Sequence, residues 1–142
     1  MPRLKFSKRL LVITVAAIAI AILFTIERRT ILDTRQVVSP NGEFTFSLEI
    51  REHNKLLSSR YEVDAEIHRS SDGQILRGSY FDLGSNRSTP DLIDLTTNVS
   101  KRPTWTNDST TVNFWVTDFD QHEMFVIKRS DGYQVGHNRI PN

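Results

Sequence analysis

Residues 61–68 read YEVDAEIH, and they alternate without a fault. Tyr61, Val63, Ala65 and Ile67 fall on one face of an extended chain; Glu62, Asp64, Glu66 and His68 fall on the other. Strict period two marks an antiparallel strand with one face packed and one face wet. The pattern repeats on either side. Residues 39–50, SPNGEFTFSLEI, place Phe44, Phe46, Leu48 and Ile50 two apart behind a Pro40-Asn41-Gly42 turn signal. TVNFWV (111–116) turns Val112, Phe114 and Val116 one way and Trp115 the other. MFVIKR (124–129), GYQVGH (132–137) and QILRGSYF (74–81) complete the set of candidate strands.

Between these runs stand Ser71-Asp72-Gly73, Asn107-Asp108-Ser109 and Ser130-Asp131-Gly132. Asn-Gly and Asp-Gly supply the positive φ that tight hairpins require. Two hairpins are therefore predicted, one around Asp72-Gly73 and one around Asp131-Gly132. Residues 86–97, NRSTPDLIDLTT, admit two readings: a short helix opened by Pro90 with Thr89 as its cap, or loop plus strand. The expected class is an all-β domain of about six or seven strands, a small sandwich or a curled antiparallel meander. A propeller is excluded. The turn signals at Gly42, Gly73, Asp108 and Gly132 have no common spacing, and blades of about 40 residues, four or more of them, do not fit in 142 residues.

The remaining chain has a different character. Residues 10–26, LLVITVAAIAIAILFTI, contain no charge, Gly or Pro, and at about 1.5 Å per residue they extend roughly 25 Å, the short end of a membrane span. A cleaved signal peptide shares the basic start and apolar run, but this run exceeds an ordinary h-region and is followed by Glu27-Arg28-Arg29 rather than by small residues. Arg3, Lys5, Lys8 and Arg9 precede it, and the positive-inside bias places them in the cytoplasm. The reading is thus a cytoplasmic N-terminus (1–9), a transmembrane helix (10–26), a linker (27–38) and an extracytoplasmic β domain (39–142), held in the cell membrane.

Composition bounds the chemistry. Removing the four basic residues of the N-terminal segment leaves 14 Lys+Arg against 17 Asp+Glu, about −3, with no basic stripe. Nucleic-acid binding is excluded on that ground. The chain has no cysteine, which removes disulfides, thiolate metal sites and cysteine nucleophiles and points to a bacterial envelope rather than a eukaryotic secretory setting.

A basic start, one apolar helix, the Ser39-Pro40-Asn41-Gly42 turn before a strand, and Trp105-Thr106-Asn107-Asp108-Ser109 before the Val112 strand resemble a group of small, uncharacterised bacterial membrane-anchored proteins. The resemblance covers residues 10–116 and implies a location without implying an activity.

Three features carry possible chemistry. Asp118, Asp120 and His122 would share one face if extended and could supply oxygen and imidazole ligands to a divalent cation; the plain alternative is a solvated hairpin loop. Glu62, Asp64, Glu66 and His68 form an acidic strand face, with Arg60, Arg69 and Arg77 placed to neutralise it across strands. Trp105, Trp115, Phe119, Phe125 and Tyr133 could form an aromatic face, or could be core packing. His53, His68, His122 and His137 fit no ligand spacing, and neither a nucleophile elbow nor a phosphate loop is present. No cofactor is implied, and the N-x-Ser triplets at Asn86, Asn98 and Asn107 are what a chain rich in Ser and Thr produces by chance. The function expected is that of a non-catalytic interaction or accessory module, with the bilayer and an envelope protein as partners. Cation or small-ligand binding by the 118–122 loop, and an enzyme with a dispersed site, are the alternatives.

Overall fold

In the computed structural model, which describes residues 8–25, 28–55, 58–85 and 98–141, the period-two segments pair into two four-stranded antiparallel sheets. The first contains β1 (Arg28–Val38), β2 (Phe44–Lys55), β3 (Ser58–Arg69) and β4 (Ile75–Gly84); the second contains β5 (Thr104–Trp105), β6 (Thr111–Thr117), β7 (Asp120–Arg129) and β8 (Gly132–Ile140). Each sheet is an up-and-down meander in chain order. Their inner faces pack on one core, formed by Phe44, Phe46, Leu48, Ile50, Tyr61, Val63, Ala65 and Ile67 from the first and Trp105, Val112, Phe114, Val116, Met124 and Val126 from the second. The predicted all-β antiparallel class is correct, and so is the assignment of faces: Val63, Ala65 and Ile67 are fully buried. Both predicted hairpins form, with His68 opposite Ile75 and Arg129 opposite Gly132.

Two expectations change. The described residues contain eight strands, and one of them occupies the segment read as a linker. β1 pairs with β2 from Arg28–Asn54 to Val38–Thr45, broken by a bulge at Leu32. Its sequence hides it, because the inward positions opposite Leu48 and Ile50 are Arg35 and Asp33, joined in an ion pair of 2.7 Å. Backbone pairing holds this strand along its length, with Val37 packed against the core near its end. Inward charge and a bulge are also how an edge strand is kept from recruiting further strands. The second short addition, β5, pairs only through Thr104 and Trp105.

An α-helix, α1 (Lys8–Thr25), precedes the sheets. The side chains of residues 12–22 are exposed. Among the described residues no helix is long and apolar enough to cross a membrane; the span expected over 10–26 meets a helix over Lys8–Thr25. Residues 86–97, with their two readings and the Asn86 triplet, lie outside the described residues.

The two turn motifs meet in space. Ser39, buried, accepts the Phe44 N–H at 3.0 Å and donates to Asn41 Oδ1 at 2.7 Å, and Gly42 takes φ +75°. The Asn41 N–H donates to Ser109 Oγ at 3.0 Å. Ser109 is itself buried and held at φ +61°, a left-handed geometry that a non-glycine residue adopts only under constraint. In the same turn, Asp108 Oδ1 accepts from the Thr106 and Thr110 hydroxyls and the Thr110 N–H, and these bonds hold its carboxyl below the usual carboxylate range. Trp105 adds a further stitch, donating its indole N–H to the Val37 carbonyl at 3.0 Å. Ser39→Ala removes an acceptor for a buried N–H, and a loss of about 1–3 kcal/mol in urea unfolding is expected; a variant of wild-type stability would mean that this turn does not tie the sheets together.

Candidate functional site

The β6–β7 connection is only the dipeptide Asp118-Phe119, because β7 begins at Asp120. Asp118 turns to the Lys101 ammonium, which also stands 5.9 Å over the Trp115 ring. That covers the outward tryptophan of β6. Asp120 and His122, two apart on β7, share the inner face as alternation requires. Asp120 Oδ1 accepts from Arg139 Nε at 2.6 Å and lies 3.2 Å from His122 Nε2, without the alignment of a hydrogen bond. Of the three residues singled out in the sequence, two are thus brought together and Asp118 is not. Both aspartates already neutralise a cation, and among the described residues no group of three His, Asp or Glu side chains is placed to hold a metal.

What the sequence did not point to is His137. On β8 it faces Met124 of β7, which sets it diagonally beside His122, and His122 Nδ1 lies 2.8 Å from His137 Nε2. The rings are nearly parallel, 24° apart with centroids at 4.9 Å, and they sit against Phe81 at 4.8 and 5.5 Å and against Phe114 at 5.7 and 6.3 Å. His122 is 4% exposed. The register of the β7–β8 hairpin would have revealed the pair, whereas periodicity alone does not.

One proton suffices for the bond between the two rings, and a second proton must enter a site walled by two phenyl rings. Burial first, then His122 and the Arg77 guanidinium, push the His137 imidazole below its ordinary value; Asp120 opposes them. The site thus disfavours the charged form of His137.

The outer face of the first sheet carries the predicted acidic ladder, and its neutralising partners are those expected only in part. Arg60 pairs with Glu62 at 3.7 Å, as expected, and also bonds Asp82. Arg51, on β2, bonds both Glu49 and Asp64, Arg69 bonds Asp72, and Arg77 acts on His137 instead. Arg51 is the partner that sequence distance concealed, and strand register supplies it: Glu49 faces Asp64, and Arg51 faces Glu62. His68 lies 3.1 Å from both Glu66 and Ser47, and His53 Nε2 is 2.6 Å from Glu62. This face forms a shallow polar groove of about 220 Å³ between Thr34, Gln36, Arg51 and His68.

The five aromatic residues do not share a face. Trp105 and Tyr133 pack on Phe44, stacked at 6.1 Å and edge-on at 5.3 Å. Trp115 and Phe125, paired with Gln121 and Thr111, lie on the outer side of the second sheet, and Phe119 protrudes from its turn. Phe125 lies directly across Gly136, where an added Cβ would stand 2.1 Å from the ring. Comparison with family models, curated proteins and solved structures finds no match to this chain.

Proposed function

We propose that the chain is a single-pass membrane protein, N-terminus in the cytoplasm, whose β-sandwich lies outside and serves as a non-catalytic interaction module for another component of the cell envelope. The observation that carries this reading is the junction. Only two residues separate Thr25 at the end of α1 from Arg28 at the start of β1, and β1 is paired with β2 from its first residue. A domain joined through so few residues is kept close to the end of an apolar helix, which suits a module that must meet a neighbour at the membrane.

The polar outer face of the first sheet supports the same reading. Its charges include pairs across strands, Arg51 with Asp64 and Arg60 with Asp82, giving a patterned surface that a partner can read by charge complementarity. A reporter that is active only outside the cytoplasm, fused after Asn142, is expected to be active. An inactive fusion, with the same reporter active when placed before residue 10, would overturn the orientation. Crosslinking in native membranes from residues on the outer face, such as Thr34 or Gln36, is expected to trap a defined envelope protein.

A further inference from the structure

Four strands stand at the borders of the two sheets: β1 and β4 in the first, β5 and β8 in the second. Three of them are poor templates for a further strand. β1 carries its bulge and its inward Asp33–Arg35 pair, β4 is broken by register shifts near both ends, and β5 spans two residues. β8 has none of these protections. Its register with β7 runs unbroken from Gly132 opposite Arg129 to Ile140 opposite Gln121, and it contains no proline. A long, regular and unblocked edge is one that recruits strands.

The direction of its free backbone groups follows from the register. The Val126 N–H donates to the Thr110 carbonyl at 2.8 Å, so Val126, Met124 and His122 turn their backbones toward β6 and Phe125 and Ile127 turn theirs toward β8. Phe125 and Ile127 therefore exchange bonds with Gly136 and Gln134, the residues they face. The N–H and C=O groups of Tyr133, Val135, His137 and Arg139 then point away from the sheet. Among the described residues none of these backbone groups has a hydrogen-bond partner. The nearest strand of the first sheet, β4, reaches β8 at the His137 side chain, through Phe81, and is not hydrogen-bonded to it.

What this edge fits is a copy of itself. Gly136 is the middle residue of β8, so pairing about a two-fold axis at that glycine aligns the strand along its whole length. Val135 of one copy then faces His137 of the other, and Tyr133 faces Arg139. Arg139, which carries the one formal charge of the strand, is thereby set opposite a tyrosine and not opposite its own copy. At the axis Gly136 has no side chain, and Phe125 lies so close above it that an added Cβ would stand 2.1 Å from the ring. The Phe125 rings of the two copies close over the axis.

We propose that β8 pairs antiparallel with β8 of a second copy about a two-fold axis at Gly136, joining two four-stranded sheets into one continuous sheet. Tyr133 exchanges backbone bonds with Arg139 and Val135 with His137, each pair occurring twice by symmetry. The axis runs perpendicular to the sheet, which keeps the start of β1, and the α1 that precedes it, at one level in both copies. The contact is separate from the outer face of the first sheet and goes beyond the reading of that face as an interaction surface.

The test uses the full chain in detergent. The protein has no cysteine, so the contact can be trapped with Gln134→Cys and Asn138→Cys in one chain, both at exposed positions. In the proposed register, residue 134 of one copy faces residue 138 of the other in a non-hydrogen-bonded pair, with Cα atoms about 4.5 Å apart and within disulfide range. Mild oxidation is expected to convert the double variant into a reducible covalent dimer. Gln134→Cys alone should stay monomeric, because its two copies stand about 14 Å apart, four residues at 3.4 Å each. Val135→Pro removes an outward N–H without breaking a bond to β7, and should abolish the crosslink in the double variant. In the unmodified chain, amide exchange at Tyr133, Val135, His137 and Arg139 should slow between dilute and concentrated protein, a readout that needs no variant to fold. A double variant that yields no more dimer than Gln134→Cys alone, or outward amides that exchange at one rate at every concentration, would overturn the pairing.

Discussion

Phe114→Ala is expected to cost about 3–5 kcal/mol in urea unfolding of the full chain, enough to threaten a domain whose whole stability is of order 5–15 kcal/mol. Phe114 is fully buried and packs between the sheets, 5.0 Å from Phe46 and 6.2 Å from Phe81 by ring centroids. Truncation leaves a cavity bordered by both sheets, and neither can close on it without moving the other. It also uncovers the imidazole pair, since Phe114 is one wall of that site. Trp115→Ala, one residue further along and facing outward, should cost much less, because only its contact with Lys101 and partial burial are lost. Similar costs for the two variants would mean that the alternation of β6 does not define inside and outside.

Acid is expected to weaken the fold through the same site. With its folded-state value lowered, His137 binds a proton less readily in the folded chain than in the unfolded one. The unfolded state therefore holds more protons below the ordinary imidazole value near 6.5, and stability falls as pH drops. The contribution is fully present above about pH 7 and is lost as pH descends through the folded value. The groups facing the ring are His122 and Asp120 from β7, Arg77 from β4 and, through Asp120, Arg139 from β8. His137 is half-buried, so solvent screens part of the effect and the expected loss between pH 8 and pH 5 is modest. The difference in unfolding midpoint between wild type and His137→Gln across that range isolates this term from the other histidines. Parallel pH profiles would show that the imidazole contact does not couple to folding. His122→Gln should flatten the profile less, because burial, the larger cause of the lowering at His137, remains.

Much of this architecture was legible before any coordinates. YEVDAEIH, EFTFSLEI and TVNFWV bury the faces their alternation specifies, since a two-residue period leaves an extended chain only one way to separate oil from water. The Asp-Gly turns bring together the strands they join for an equally local reason, with Gly73 at φ +71° and Gly132 at φ +141°. β1 was not legible. An edge strand is held by the backbone of its neighbour, which any sequence can use, and its inward Asp33 and Arg35 satisfy each other where a core strand would carry apolar side chains.

For the site, residue spacing brought Asp120 and His122 into view because alternation puts them on one face. It also grouped them with Asp118, which the two-residue turn sends to Lys101 instead. His137, fifteen residues from His122, and Arg51, thirteen from Asp64, enter only through cross-strand register. The sequence by itself determined strand faces, turn positions and an apolar N-terminal run, all of which depend on neighbours within a few residues. Only the tertiary structure decided which side chains meet across strands and sheets: the paired imidazoles and the clasp between Asn41 and Ser109. Those contacts depend on how hydrogen-bonded strands align and how two faces pack, and no property of a single strand contains that information.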